Sequence, residues 1–170
     1  MARSPRTIYL VRQAQLLIYA EMVEPLKAFD LTPAQYVVLS LSRSEDGRSA
    51  ADLARRSHIT PQSMNEIIAV LDRKGLIRRR EDPDNRRILR VTLSKEGKKL
   101  LADCDKQIDR VESEFLRCLN EKELATLRTL LTKVLRENLR KIEQSSLVEE
   151  KPLSRRAVQA APSIHQRSVR

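Results

Sequence analysis

Residues 52–101 read DLARRSHITPQSMNEIIAVLDRKGLIRRREDPDNRRILRVTLSKEGKKLL, and the spacing of the apolar residues changes after Gly75. The first part predicts two short helices separated by a turn of three or four residues, which is a helix-turn-helix. Thr60 and Pro61 form the cap pair of the second helix, and Gly75 ends it. The buried stripe of this helix is predicted to consist of Met64, Ile67, Ile68 and Leu71.

After Gly75 the apolar residues alternate with polar ones, which predicts a β-hairpin. Its tip is the sequence DPDN at residues 82–85, a turn in which Asp82 can accept a hydrogen bond from the backbone two residues on. Three consecutive arginines, residues 78–80, occupy the first strand. Because side chains alternate along a strand, the three cannot all face the same way, so at least one is predicted to be structural.

The predicted helices other than the second helix of the helix-turn-helix lie before and after the hairpin. They cover residues 7–29, a segment beginning at Thr32 and Pro33, a short helix opened by Ser49, residues 95–118 capped by Ser94, and residues 123–143. The first and last of these helices are more apolar than one small domain can cover, which favours a dimer built from the two ends of the chain. The predicted fold class is mainly α with a small β-hairpin.

The 170 residues carry a formal net charge of +10, so a polyanion is the first partner to consider. Residues 73–90 contain eight bases against three acids, and residues 151–170 contain five bases and no acid. From about residue 145 the apolar period disappears. Residues 146–170 are therefore predicted to be a disordered basic tail.

Several classes of protein are excluded by what the sequence lacks. No apolar run is long enough to cross a membrane and the N-terminus does not resemble a signal peptide, so a cytoplasmic location and no membrane partner are expected. Two cysteines and two histidines provide neither a disulfide framework nor a metal site. No nucleophile–base pair is apparent either, and we predict neither an enzyme nor a cofactor.

The order of these elements resembles the MarR family of bacterial winged helix-turn-helix regulators. The supporting stretches are LTPAQYVVLSLS at 31–42, residues 52–101, and FLRCLNEKELATLRTLLTKVL at 115–135. The resemblance implies that the hairpin is a wing and that long N- and C-terminal helices form a homodimer. It implies a domain over residues 1–145, with a DNA-binding lobe at about 31–98, followed by the tail at 146–170.

The resemblance also implies a sequence-specific DNA-binding transcriptional regulator, a ligand-responsive repressor on a pseudo-palindromic operator in double-stranded DNA. Two alternatives stay open, a non-specific architectural DNA-binding protein and a redox-responsive regulator. Peroxide-sensing relatives generally have a reactive cysteine near the start of the first helix, whereas the first cysteine here is Cys104. The redox alternative is therefore disfavoured.

The second helix of a helix-turn-helix lies in the major groove, where the first half of its exposed face reads base edges. The predicted base readers are Gln62, Ser63, Asn65 and Glu66. An ordinary polar helix surface is the alternative interpretation. The predicted phosphate contacts are Ser49, at the start of a helix, and Arg73, Lys74, Arg78, Arg79 and Arg80.

At the hairpin tip, Arg86 and Arg87 are predicted to enter the minor groove, and the resemblance favours Arg87. Similar proteins have an aspartate two residues before this arginine that braces the wing. Here the position is Asn85, so Asp82 or Asp84 is expected to replace it.

Family resemblance further implies an effector pocket for an aromatic or phenolic acid or its coenzyme A thioester. Tyr19 and Tyr36 are candidates to line this pocket, and core packing is the alternative role for both.

Overall fold

A computed structural model describes residues 4–149 of the chain. These residues form helices α1 Thr7–Lys27, α2 Pro33–Leu41, α3 Ala50–Ser57, α4 Pro61–Arg73, α5 Lys95–Phe115 and α6 Glu121–Glu149, and strands β1 Arg48–Ser49, β2 Ile77–Glu81 and β3 Leu89–Leu93. The predicted mainly α fold with a β-hairpin is confirmed. The chain divides into two compact units, of which the first ends at Leu124 and the second begins at Ala125.

Hydroxyl side chains cap four of the helices at the positions predicted from the sequence. Each accepts a hydrogen bond from the backbone amide three residues later, at 3.2 Å for Thr32, 3.1 Å for Ser49, 3.2 Å for Thr60 and 2.9 Å for Ser94. Each bond satisfies one amide that has no partner within its helix. These caps set where α2, α3, α4 and α5 begin.

The turn between α3 and α4 depends on one residue with left-handed backbone geometry. His58 ends α3 with φ of 53°, and its amide reaches back to the carbonyls of Ala54 and Arg55. Gly75, with φ of 68°, follows α4 and leads directly into β2. The predicted helix-turn-helix and its glycine stop are both confirmed.

The three strands form an antiparallel sheet in the order β1-β3-β2. β3 lies in the centre, where Val91 pairs with Arg48 of β1 and with Arg79 of β2. The sequence analysis did not find β1, because two residues are too few to display an alternating period.

The hydrophobic core lies between α2, α3, α4, α5 and the inner face of the sheet. Met64, Ile68 and Leu71 of α4 are buried as predicted, while Ile67 is half-buried against the same core. Ile77 and Val91 extend the core onto the sheet. This packing holds α4 against the hairpin, so the elements that carry most of the predicted site form one body.

Two predicted boundaries are wrong. α5 ends at Phe115 instead of residue 118, so Cys118 lies beyond the helix that contains Cys104. α6 continues to Glu149, past residue 143, where the last helix is predicted to end. The rest of the predicted tail lies outside the described residues. No helix among residues 4–149 is long and apolar enough to cross a membrane.

Candidate nucleic-acid interface

The outer face of α4 presents most of the predicted base-reading residues. Gln62, Asn65 and Glu66 are exposed, on the side opposite the buried stripe. Ser63 is half-buried, and its Oγ accepts a hydrogen bond from the Thr60 hydroxyl at 3.0 Å. Ser63 is therefore part of the helix cap, and the other three side chains form the exposed reading surface.

The end of α4 is tied to the turn that follows α1. Lys74 Nζ lies 2.8 Å from Asp30 Oδ2 and also donates to the backbone carbonyl of Asp30. Asp30 has φ of 54°, a backbone conformation that few side chains adopt. Arg73 is exposed. Of the two bases at this helix end, Lys74 links α4 to the turn after α1, and Arg73 extends into solvent.

The three arginines of β2 point to two different sides of the sheet. Arg79 shares the core side with Ile77, and its Nε lies 3.0 Å from Asp72 Oδ2 at the end of α4. Arg78 and Arg80 point to the opposite side. The expectation that at least one of these arginines is structural agrees with the contact between Arg79 and Asp72.

At the start of α3, an acidic side chain occupies the region predicted to hold a phosphate. Asp52 lies in the first turn, where Arg48 Nη1 approaches Oδ2 at 3.2 Å and Arg56 Nε approaches it at 3.0 Å. Partial burial acts to raise the pKa of Asp52, but the hydrogen bonds from these two arginines bring it below its usual value. Ser49 thus caps a helix whose positive end already has a carboxylate partner.

The hairpin tip is organised by Asp82. Its Oδ1 accepts hydrogen bonds from the amide of Asp84 at 2.8 Å and from the amide of Asn85 at 3.2 Å. Its own amide donates to the carbonyl of Ile88 at 2.9 Å. The predicted turn, with an aspartate at its first position, is confirmed.

Asp82 also anchors the base of the wing. Its Oδ2 is bonded to Arg90 Nε, and Arg90 Nη1 lies 3.4 Å from the carbonyl of Gly47 beside β1. The side-chain oxygen of Asn85 accepts from the backbone amide of Arg87, at 3.1 Å, and its backbone carbonyl accepts from the amide of Ile88, at 2.8 Å. The pair of Asp82 and Arg90 therefore provides the brace that Asn85 does not. Sequence reasoning missed Arg90, because its partner depends on the strand register.

The hydrogen bond from Arg90, followed by the bonds from the two turn amides, holds the pKa of Asp82 below its usual value. An aspartate in an unfolded chain titrates at about 3.9. The stabilisation from this carboxylate is therefore complete above that pH and is lost as the pH falls through the lower folded-state pKa.

Arg86 and Arg87 extend from the tip. Both are exposed, and the nearest approach of Arg86 to an acid is 4.0 Å, between its Nε and Glu81 Oε2. An ion pair this long and this exposed contributes little. Both guanidinium groups therefore remain available to a polyanion.

Tyr36 joins two helices of the core. Its hydroxyl donates to Asp105 Oδ1 at 2.9 Å, and burial, then this hydrogen bond, raises its pKa to about 12. Tyr19 is exposed on α1. A cleft of about 720 Å³ lies between α1 and α5, but neither tyrosine lines it. These contacts favour core packing for Tyr36.

The thiol of Cys104 is fully buried. Burial, followed by the charges of Asp105 and Asp103, raises its pKa to about 11. The reactive form of a cysteine is the thiolate, so this thiol is inert near neutral pH. Cys118 is exposed beyond the end of α5.

Known proteins resemble this chain in sequence and in structure. The family model described as MarR family matches residues 29–88. Transcriptional regulator HosA of Escherichia coli O111:H- is 32% identical over 106 residues, which are 62% of this chain and 78% of HosA.

Two crystal structures resemble the fold. The complex of Mycobacterium tuberculosis MarR family protein Rv2887 with salicylic acid has a TM-score of 0.66 and 25% identity, and the match covers 79% of this chain and 99% of that one. The S. aureus MepR–DNA complex also has a TM-score of 0.66, with 26% identity and coverage of 79% and 99%. The similarity therefore extends well beyond the helix-turn-helix.

Proposed function

Because the chain belongs to the MarR family of transcriptional regulators, we propose that it is a cytoplasmic, ligand-responsive repressor that binds operator DNA as a homodimer. The observation that carries this proposal is the exposed polar face of α4, held by the core beside a wing that ends in two exposed arginines. MepR, which resembles this chain, was crystallised with DNA. In the proposed arrangement residues 31–98 form the DNA-binding lobe.

The exposed face of α4 has the chemistry to distinguish bases. Asparagine and glutamine amides pair with the two hydrogen-bonding groups of adenine in the major groove, and a glutamate accepts from cytosine. We assign Gln62, Asn65 and Glu66 to these roles, with Ser63 stabilising the helix start. Arg73, at the far end of the helix, is assigned to a phosphate.

The wing is assigned to the neighbouring minor groove. Arginine is favoured where that groove is narrow, because its negative potential is strongest there. Arg87 is the principal probe and Arg86 the second. The brace between Asp82 and Arg90 holds the turn that carries both, so the wing is ordered before DNA binds.

Exposed apolar residues support the homodimer. Nine large apolar side chains of α1 and four within residues 121–140 of α6 are exposed in a single chain. On α1 these are Ile8, Tyr9, Leu10, Val11, Leu16, Leu17, Ile18, Tyr19 and Val23, and on α6 they are Leu130, Leu131, Val134 and Leu135. Apolar surfaces of this extent mark interaction sites. We assign both helices to the contact with a second copy.

The effector is assigned to the class of aromatic or phenolic acids or their coenzyme A thioesters. Rv2887, which is similar in fold, was crystallised with salicylic acid. The cleft between α1 and α5 has Phe115 and Val111 as apolar lining, which suits an aromatic ring. Its charged lining consists of two bases and three acids, Arg110, Arg117, Glu21, Glu24 and Glu114, so the carboxylate of the effector is assigned from the similarity to Rv2887 and not from the charge of the cleft. Because an effector shifts only the equilibrium between states it binds unequally, we expect ligand and operator DNA to weaken each other's binding.

The two assigned contact types predict different responses to mutation. Arg87→Ala is expected to lower operator affinity by about tenfold, because one contact with the DNA is lost. The slope of the logarithm of the binding constant against the logarithm of the salt concentration is expected to become shallower by about one, because that contact no longer releases a counterion. Asn65→Ala is expected to relax the preference at one base position by about 1–3 kcal/mol with an unchanged salt slope. Salt-titrated fluorescence anisotropy on the selected operator and on its single-base variants measures both quantities.

Lys106→Ala is the control, because it removes an exposed base on α5 far from α4 and the wing. Wild-type affinity for operator in both Arg87→Ala and Asn65→Ala would rule out the assigned contacts. Equal wild-type affinity for operator and random DNA would instead favour the non-specific architectural alternative.

The wing brace predicts a separate effect. Asp82→Ala removes the partner of Arg90 and the acceptor of two turn amides, so amide hydrogens of residues 82–91 are expected to exchange faster and operator affinity to fall about tenfold. Asp84→Ala, two positions later in the turn and exposed, is the matched control and is expected to leave both unchanged. Wild-type exchange of the wing in Asp82→Ala would contradict the brace.

A further inference from the structure

A second concave site lies on the DNA-binding lobe, away from α4. It is a cleft of about 240 Å³ between the loop after α2, the outer side of the sheet and the start of α5. Its lining consists of Arg43, Ser44, Glu45, Arg78, Arg80, Thr92, Leu93, Lys95 and Lys98. Five bases and one acid thus surround a single small space.

Only two of these bases have acidic partners. Lys98 Nζ lies 2.6 Å from Glu45 Oε1, and Arg43 Nη2 lies 2.5 Å from Asp105 Oδ2. For the side chains of Arg78, Arg80 and Lys95, residues 4–140 provide no hydrogen bond or ion pair. The charges of Glu45 and Glu96 act on these three cations from beyond ion-pair distance and offset part of their mutual repulsion. The cleft still has five bases against one acid in its lining, so an anion placed between the bases lowers the remaining repulsion.

The alternation of β2 places this cleft on the side of the sheet that faces away from the recognition helix. Ile77 and Arg79 face α4, where Arg79 pairs with Asp72. Arg78 and Arg80 lie on the other side and line the cleft. The two sets of arginines are therefore separated by the sheet, and the cleft bases do not extend the surface that α4 presents.

A buried hydroxyl in the cleft lining also lacks a partner. Thr92 is 7% exposed, and among the described residues nothing hydrogen-bonds its Oγ1. A buried hydroxyl without a partner is unfavourable, and a ligand oxygen would provide one. Lys95 is the first residue of α5, whose first turn also contains Glu96, so the helix end is already matched by a carboxylate and the attraction for an anion comes from the bases.

We propose that this cleft binds a small polyanion that carries phosphate groups, at a site separate from the DNA contacts and from the cleft between α1 and α5. Guanidinium groups match phosphate oxygens in geometry as well as charge, and within residues 4–140 no acid lies at ion-pair distance from Arg78 or Arg80. At about 240 Å³ the space is below the range of about 300–1,000 Å³ that whole drug-sized ligands occupy. It suits a phosphate or diphosphate group, with any remaining part of the ligand outside.

Isothermal titration of the full chain with inorganic diphosphate at low ionic strength tests this site. Wild type is expected to bind one diphosphate per subunit with saturation. Arg78→Gln/Arg80→Gln is expected to bind at least about tenfold more weakly, because both unpaired guanidinium groups are lost. Absence of saturable binding to the wild-type protein would overturn the proposal.

The matched control is Lys99→Gln/Lys106→Gln, which removes the same charge from exposed positions of α5 outside the cleft. An equal loss in this control would mean that diphosphate responds only to net charge, and would overturn the site. Thr92→Val keeps the side-chain volume and removes only the hydroxyl. It is expected to weaken diphosphate binding severalfold, with no loss of stability to urea.

Operator titrations with the same variants separate this site from the DNA interface. Arg78→Gln/Arg80→Gln is expected to lose no more DNA affinity than the control pair. A much larger loss of DNA affinity with unchanged diphosphate binding would assign the two arginines to the DNA backbone instead. Wild-type operator binding reports on the proposed function independently of every diphosphate result.

Discussion

Leu10→Glu/Leu17→Glu is expected to make the protein monomeric and to lower its affinity for a two-half-site operator by more than about 100-fold. The two leucines are seven residues apart on α1, so they lie on one face of the helix, and both are exposed in the single chain. A dimer interface across this face would bury both new carboxylates without partners. Because a dimer gains its second half-site as an intramolecular event, loss of the dimer removes that gain.

Light scattering after size exclusion, together with anisotropy on operator and half-operator DNA, measures both effects. Arg12→Gln/Gln15→Glu is the control, since it lowers the net charge by the same two units at exposed polar positions on the other side of the same helix. A dimeric Leu10→Glu/Leu17→Glu protein with wild-type operator affinity would exclude α1 from the subunit interface.

Gly97→Ala is expected to lower the free energy of unfolding by about 3 kcal/mol or more, the upper range for overpacking a core. A Cβ at this position would lie 1.9 Å from the carbonyl oxygen of Leu76 and 2.9 Å from its carbonyl carbon. That carbonyl also accepts from the amide of Ser94 at 3.0 Å. Because the obstacle is backbone, no side-chain rotation relieves the clash, and α5 must move away from the sheet.

Gly75→Ala is the comparison, because nothing lies within 4 Å of a Cβ there and only the φ of 68° opposes the substitution. This substitution is expected to lower the free energy of unfolding by about 1 kcal/mol. Urea unfolding of both variants at one protein concentration gives the difference, since the stability of a dimer depends on concentration. Equal stability of the two variants would contradict the close approach of α5 and Leu76.

Local interactions explain which parts of the fold were predictable. Thr32, Ser49, Thr60 and Ser94 bond to amides three residues away, so a short segment contains both partners. The stripe of α4 and the turn at Asp82 also depend on neighbours within a few residues. Features of this kind depend only on residues a few positions apart, so the sequence predicts them, and each was confirmed.

The candidate site was predictable only where exposure follows from a helix period. Gln62, Asn65 and Glu66 lie opposite the buried stripe, as the period of α4 requires. Lys74 and Arg73 are adjacent bases at the end of α4, yet Lys74 bonds to Asp30, which is 44 residues earlier. No local pattern distinguishes these two bases.

The sequence by itself determined the helix-turn-helix, the hairpin, the family and the general basic character of residues 73–90. The tertiary structure decided how those bases divide, with Arg79 on Asp72, Arg90 on Asp82, and Arg78 and Arg80 in a separate cleft. The physical reason is that a charge run specifies only how many cations are present. The partner of each cation is set by strand register and by packing between elements, neither of which can be read from the charge run itself.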